Sequence, residues 1–187
     1  MSTTMEVQTV QVPPGRWELD PAHTRIGFAV KHMGVSTVRG EFREFEGTLE
    51  IGEDPSSSRF YGTVQAASIN TNQAQRDEHL RSEDFFGAEA NPELRFESKR
   101  IERIDEDSFR VVGDLTMNGV TNEVELEAEV AGTDIGPAGE ERLGLEVTGQ
   151  VSRRAYQMKF NAALGSGNAV VADKVKLDLD VALVRSA

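Results

Sequence analysis

There is no cysteine anywhere in the 187 residues. That excludes disulfide staples, thiolate zinc sites, iron–sulfur clusters and a cysteine nucleophile, and it leaves the redox compartment open. Cations are scarce: 20 Lys and Arg stand against 32 Asp and Glu, a formal net charge of −12. A chain this acidic is a poor general binder of nucleic acid or anionic membrane, because holding phosphates takes local positive charge. No run approaches the roughly 18 to 20 consecutive apolar residues that a transmembrane helix needs, so stable membrane insertion is not expected. Residues 1–14 carry neither a basic n-region nor an apolar h-region. The expectation is a cytoplasmic protein with a loose polar arm over 1–14 and one domain over 15–187. That length can bury a core without staples.

Catalytic signatures are missing as well. The only histidines, His23, His32 and His79, have spacings that match no metal signature, so no metal is expected. There is no Gly-x-Ser-x-Gly elbow, Walker loop or dinucleotide fingerprint, and no cofactor is expected. Asp20-Pro-Ala-His23 reads as a tied turn.

What the chain does have is alternation. Phe109, Val111, Gly113, Leu115 and Met117 alternate with polar neighbours, as do Val124 to Val130, Leu143 to Val151 and Val175 to Leu183. Such runs are strands with one face buried and one in water, and they point to antiparallel pairing. Ile26, Phe28 and Val30 share a parity, as do Val38, Gly40 and Phe42. Phe45, Gly47, Leu49 and Ile51 take the other parity, so a bulge or tight turn is expected at Arg43–Glu44. Phe60 to Ala66 reads as a further strand, Leu94 and Phe96 open the next, and Met158 and Phe160 one more. Turn signals lie at Gly52–Pro55, Asp105–Ser108, Asn118–Gly119, Gly132–Gly139 and Gly165–Asn168. One helix is expected near 72–86, capped by Asn72 with Gln75, and Pro92 ends the segment that follows. About eight to ten strands with one short helix predict a single closed β-barrel, with a two-sheet sandwich as the rival.

Gly40, Gly47, Gly62, Gly113 and Gly149 sit on the inward parity of their strands. Two readings stay open. The glycines leave an interior void, since an eight-stranded barrel is just wide enough for one small ligand, or they mark bends where the barrel turns. If the barrel is hollow at Gly113, a larger side chain there has somewhere to go. The other inward residues are Val, Leu, Met and Phe, so a void would be apolar and dry. Arg76-Asp-Glu-His-Leu-Arg81 is the most unusual segment. On a helix Arg76, His79 and Leu80 share a face, where they either close a barrel mouth and hold a polar head or form a self-paired exposed surface. Screening makes the local cations Lys31, Arg76, Arg81 and Arg153 matter more than the net charge.

Several ordered motifs carry a resemblance: Trp17-x-Leu-Asp20-x-x-His23, Phe28-x-Val-x-His32, Val38-x-Gly40-x-Phe42-x-x-Phe45-x-Gly47, Ser68-Ile-Asn-Thr71, Arg76-Asp77-x-His79-Leu80-x-Ser82-x-Asp84-Phe85-Phe86, Pro92-x-Leu-x-Phe96-x-Ser98 and Gly113-x-Leu-Thr116-x-x-Gly119-Val-Thr121. From Trp17 to Leu183 the chain resembles the YceI-like family. The resemblance implies a lipocalin-like antiparallel barrel of about eight strands, with an elongated apolar tunnel that binds a polyisoprenoid or other lipid. It implies Phe28, Val30, Phe42, Val64, Phe96, Leu115 and Met117 as tunnel wall, with His32, Arg76, Asp77, His79, Leu80, Phe85 and Arg153 as further ligand-binding candidates. The chain departs from the family pattern at Gln157, where glycine is usual, and at Asn122–Glu123, where Lys-Pro is usual. The expected partner is an apolar small molecule, an isoprenoid or acyl chain, that the protein carries or sequesters; a homodimer is left open. Two alternatives are an enzyme using His32, His79 or Asp77 on such a molecule, and a stress-response scaffold acting through a protein partner.

Overall fold

The computed structural model describes residues 12–161 and 170–186. Most of the 1–14 arm and the turn signal at Gly165–Asn168 therefore lie outside the described residues. Of the arm, Val12 packs against the barrel core and the Trp17 indole donates to the Pro13 carbonyl at 3.2 Å.

In chain order the strands are β1 (Gly15–Leu19), β2 (Arg25–His32), β3 (Ser36–Phe42), β4 (Phe45–Ile51), β5 (Arg59–Gln65), β6 (Ile69–Asn70), β7 (Glu93–Arg103), β8 (Ser108–Met117), β9 (Val120–Ile135), β10 (Glu141–Ser152) and β11 (Val171–Arg185). The helix α1 (Ala74–Arg81) precedes β7. β1 and β2 are two halves of one broken stave: β11 pairs with β2 through its first part and with β1 at its end. β3 and β4 are halves of a second, with β2 on β3 and β1 on β4. From there each stave pairs with the next until β11 returns to the first. The result is the closed eight-strand antiparallel barrel that the alternation predicts.

Both breaks have local causes. Between β1 and β2 the Thr24 hydroxyl replaces the backbone ladder: it donates to the Ala182 carbonyl at 3.1 Å and accepts from the Ala182 amide at 3.0 Å. Between β3 and β4 the parity slips where expected, at Arg43–Glu44, and the Arg43 amide turns to the carbonyl and hydroxyl of Ser68, each at 3.2 Å.

Two local expectations are corrected. The helix is capped by Gln73, whose side chain accepts from the Arg76 amide at 2.5 Å, and Asn72 lies before it at φ 62°. A cap needs an extended backbone, which Gln73 has and Asn72 has not. Met158–Phe160 forms no strand. Its carbonyls are taken by the Arg153 side chain rather than by a neighbouring stave.

Candidate functional site

Inward side chains of the staves do not all meet on the axis. They enclose a cavity of about 270 Å³ that runs from Leu19, Leu49 and Leu145 to Phe86, Met158 and Val171. Its wall is carbon almost throughout. A void without polar partners does not hold ordered water, and apolar ligands fit it instead.

Each candidate residue can now be placed. Phe28, Val30, Phe42, Val64 and Phe96 line the cavity, and so do Leu115, Met117, Leu80, Phe85 and Arg153. His32, Arg76, Asp77 and His79 do not. Further wall residues are Phe60, Leu126, Val175, Leu177 and Leu179. Their inward parity was the signal that could have found them.

Of the inward glycines only Gly62 borders the void, and a Cβ there would meet the backbone of Glu46 at 2.8 Å; the other four do not make it. A Cβ on Gly40 would stand 2.4 Å from the Phe28 ring, one on Gly113 2.6 Å from the Phe96 ring, one on Gly47 3.1 Å from the Phe60 ring, and one on Gly149 2.5 Å from Leu126. Each space is already filled by a large side chain leaning across from a neighbouring stave. The barrel at Gly113 is thus not hollow, contrary to one of the two readings. Gly40, Gly47 and Gly113 leave room for aromatic rings to lean over them, and the cavity is what remains between those rings and the aliphatic wall.

Arg153 closes one end. It is 8% exposed and donates only to backbone carbonyls: Nε to Ala172 at 2.8 Å, and Nη1 to Met158 and Phe160 and Nη2 to Val171, all at 3.1 Å. No carboxylate lies within ion-pair distance of it among the described residues. Burial pulls its pKa below the usual guanidinium value, with Asp173 acting the other way, and a guanidinium keeps its proton nonetheless. The carbonyl dipoles hold the charge in place without cancelling it. Burial works to raise the Asp173 carboxyl; the Ser152 hydroxyl at 2.7 Å and the Arg154 amide at 2.9 Å outweigh it and hold the group below the ordinary range.

The charged helix is built differently from its helical-wheel reading. Buried Asp77 accepts from the Thr71 amide at 2.8 Å and the Thr71 hydroxyl at 2.6 Å. Arg76 gives Nε to the Thr71 hydroxyl and Nη2 to the Thr71 carbonyl, both at 2.7 Å. These bonds clamp the helix to the strand before it. His79 pairs with Asp84 at 2.8 Å and meets the Phe85 and Phe160 rings edge-on. Leu80 is the one member of that face to reach the cavity. Among the described residues no group of three His, Asp or Glu side chains could hold a metal ion, and no helix is long and apolar enough to cross a membrane.

A closed antiparallel barrel around one apolar cavity defines the lipocalin-like class of architecture. Within it the chain belongs to the YceI-like domain family, whose pattern matches residues 17–183. A UPF0312 protein of Photorhabdus laumondii is 40% identical over 144 residues, covering 76% of this chain and 73% of the relative. The crystal structure of the Campylobacter jejuni YceI protein superposes with a TM-score of 0.71 at 29% identity, covering 90% and 97% of the two chains. A polyisoprenoid binding domain from Saccharophagus degradans, implicated in plant cell wall breakdown, shares the fold with a TM-score of 0.70 at 14% identity, over 91% and 98% of the two chains.

Proposed function

We propose that the protein binds a long apolar molecule, an isoprenoid or acyl chain, inside the barrel and carries or sequesters it. The carbon-lined cavity is the observation that supports this reading. Its volume, about 270 Å³, is near the lower end of ligand pockets. Affinity would come from burying chain surface, at roughly 25 cal/mol per Å² before ordering costs. The polyisoprenoid binding named for the Saccharophagus domain supports the same ligand class. An enzymatic reading finds less support: His32, His79 and Asp77 are off the cavity wall, and the latter two are engaged with Asp84 and Thr71. A base must reach a substrate atom to act on it.

Organic extraction of the purified protein followed by mass spectrometry tests this directly. A stoichiometric isoprenoid or acyl species is expected. Leu115→Trp and Val64→Trp place an indole in the tunnel and should weaken binding of a fluorescent acyl probe by tenfold or more. An empty wild-type barrel that also takes up neither acyl nor prenyl probes would sink the reading.

A further inference from the structure

The β2–β3 hairpin ends in a turn whose two central residues, Met33 and Gly34, have φ 55° and 72°. Turns of this kind ordinarily carry Asn or Asp followed by Gly, because positive φ disfavours other side chains. Here a methionine holds the first place, and it is 40% exposed; Val35 beside it is 83% exposed. The backbone cost is borne by an apolar side chain that the fold covers only in part, next to a valine that it leaves almost bare. The tip is fixed against the barrel by the Met33 amide, which donates to the Val170 carbonyl at 2.8 Å, and by the pairing of His32 with Val171. Val30 and Val171 line the cavity, so the apolar tip stands at the cavity's Arg153 end.

Cations gather at the same place. Lys31 and Lys174 flank the Val30–Val175 register on the outer surface. Arg154 follows Arg153, Lys159 lies between the Met158 and Phe160 carbonyls that hold it, and all four cations are exposed. None has a carboxylate within ion-pair distance among the described residues. Asp173, held by the Ser152 hydroxyl and the Arg154 amide, stands near enough for the charges of Arg154 and Lys174 to act on it, but forms an ion pair with neither. The neighbouring helix segment carries Asp77, Glu78, Glu83 and Asp84 with Arg76 and Arg81, so the basic rim lies on the stave side of this end. The other end of the barrel offers an internal comparison. It too exposes apolar turn residues, Ile104 at 47% and Ile135 at 69%. Those stand beside Asp105, Glu106, Asp107 and Asp134, and beside Glu140 and Glu141, which are paired with Arg142 and Arg185.

We propose that the hairpin end docks on an anionic phospholipid bilayer, with Met33 and Val35 in the interface and Lys31, Arg154, Lys159 and Lys174 over the headgroups. Apolar tip and basic rim are the two components of interfacial binding. The acidic residues of the far end are screened from this one at ordinary salt. β11, with 15 residues, separates the ends by roughly 50 Å along its length, several times the Debye length of about 8–10 Å. The docking would place the cavity's Arg153 end against the lipid phase. It does not depend on the tunnel's cargo.

Flotation of the full chain with vesicles of phosphatidylcholine, with and without phosphatidylglycerol, in about 0.1 M salt tests the proposal. Binding at least tenfold tighter to the phosphatidylglycerol vesicles is expected. Lys31→Ala with Lys174→Ala should cost tenfold or more, since each cation near an anionic surface gives about fivefold. Met33→Ser with Val35→Ser should cost a similar factor with unchanged melting. Ile104→Ser with Ile135→Ser should change nothing. Equal binding to both vesicle types, equal losses from the two ends, or no binding at all would overturn it, whatever protein that face then proves to hold. Delipidated and lipid-loaded protein are measured side by side. A failure here is thereby distinct from an empty tunnel, which the extraction decides.

Discussion

At one end of the barrel Trp17, Leu143 and Leu183 are each 2% exposed or less, and none of them borders the cavity. Towards the other end Phe28, Val30, Val171 and Val175 are only half-buried, and all four do border it. The staves run through both regions with the same inward alternation. What separates solid from hollow is whether a side chain large enough to cross the axis stands at that level. Trp17 is fully buried at the solid end; at the hollow level Val30 and Val175, paired on adjacent staves, are too short to fill the space. A hydrophobic pattern of period two therefore specifies which face is inside without specifying how much of the inside is filled.

The sharpest way to break this contrast is Trp17→Ala. Removing a fully buried indole from the packed end is expected to cost about 3–5 kcal/mol, read by urea denaturation followed by circular dichroism. Val30→Ala, on a wall that already faces empty space, should cost less than half as much. Equal losses would mean that the cavity is collapsed in solution.

A smaller effect separates the glycines. Gly113→Ala forces a Cβ to within 2.5 Å of the Glu97 carbonyl oxygen and 2.6 Å of the Phe96 ring, and is expected to cost about 1–3 kcal/mol. Gly132 has no atom within 4 Å of the same position, so Gly132→Ala should stay within about 0.5 kcal/mol of wild type. If Gly113→Ala melts like wild type, the ring does not lie over the glycine.

The smallest effect concerns Tyr156, 1% exposed, whose hydroxyl has no hydrogen-bond partner among the described residues; the Asn122 amide beside it donates to the Ala155 carbonyl at 2.7 Å. Burial pushes the phenol up to about 12. The folded state thus holds this proton more tightly than the unfolded chain, which releases it near pH 10. The resulting stability is complete below pH 10 and is lost as the pH rises from 10 towards 12. Tyr156→Phe should flatten that alkaline limb and leave stability at pH 7 unchanged or higher by up to about 1 kcal/mol. An alkaline limb as steep as that of wild type would assign it to other groups.

Much of the fold was legible because strands announce themselves locally. The parity slip at Arg43–Glu44 is visible in the sequence and is where β3 gives way to β4. Most of the cavity wall was legible too, since inward parity alone selects Phe28, Val64, Leu115 and their neighbours. The remainder depended on contacts that periodicity does not encode. Glycines on a buried parity read equally as void or bend until a ring from the adjacent stave is seen lying over them. Arg76 and Leu80 share a helical face, yet Thr71 captures the first and leaves only the second at the cavity. Met158 and Phe160 alternate like a strand, but one guanidinium takes their carbonyls.

The closing seam has a consequence for how the chain must be made. Thr24 and Ala182, 158 residues apart, exchange two hydrogen bonds across it, and Trp17 lies opposite Arg185. Every other stave can pair with a neighbour already synthesised. The first stave must wait, with one edge open, until the last has emerged. Barrel closure is then the slow, long-range step that topology predicts, and a nascent or truncated chain exposes two unpaired edges able to recruit another molecule. Intact Thr24 and the full β11 are the elements that end that vulnerable interval.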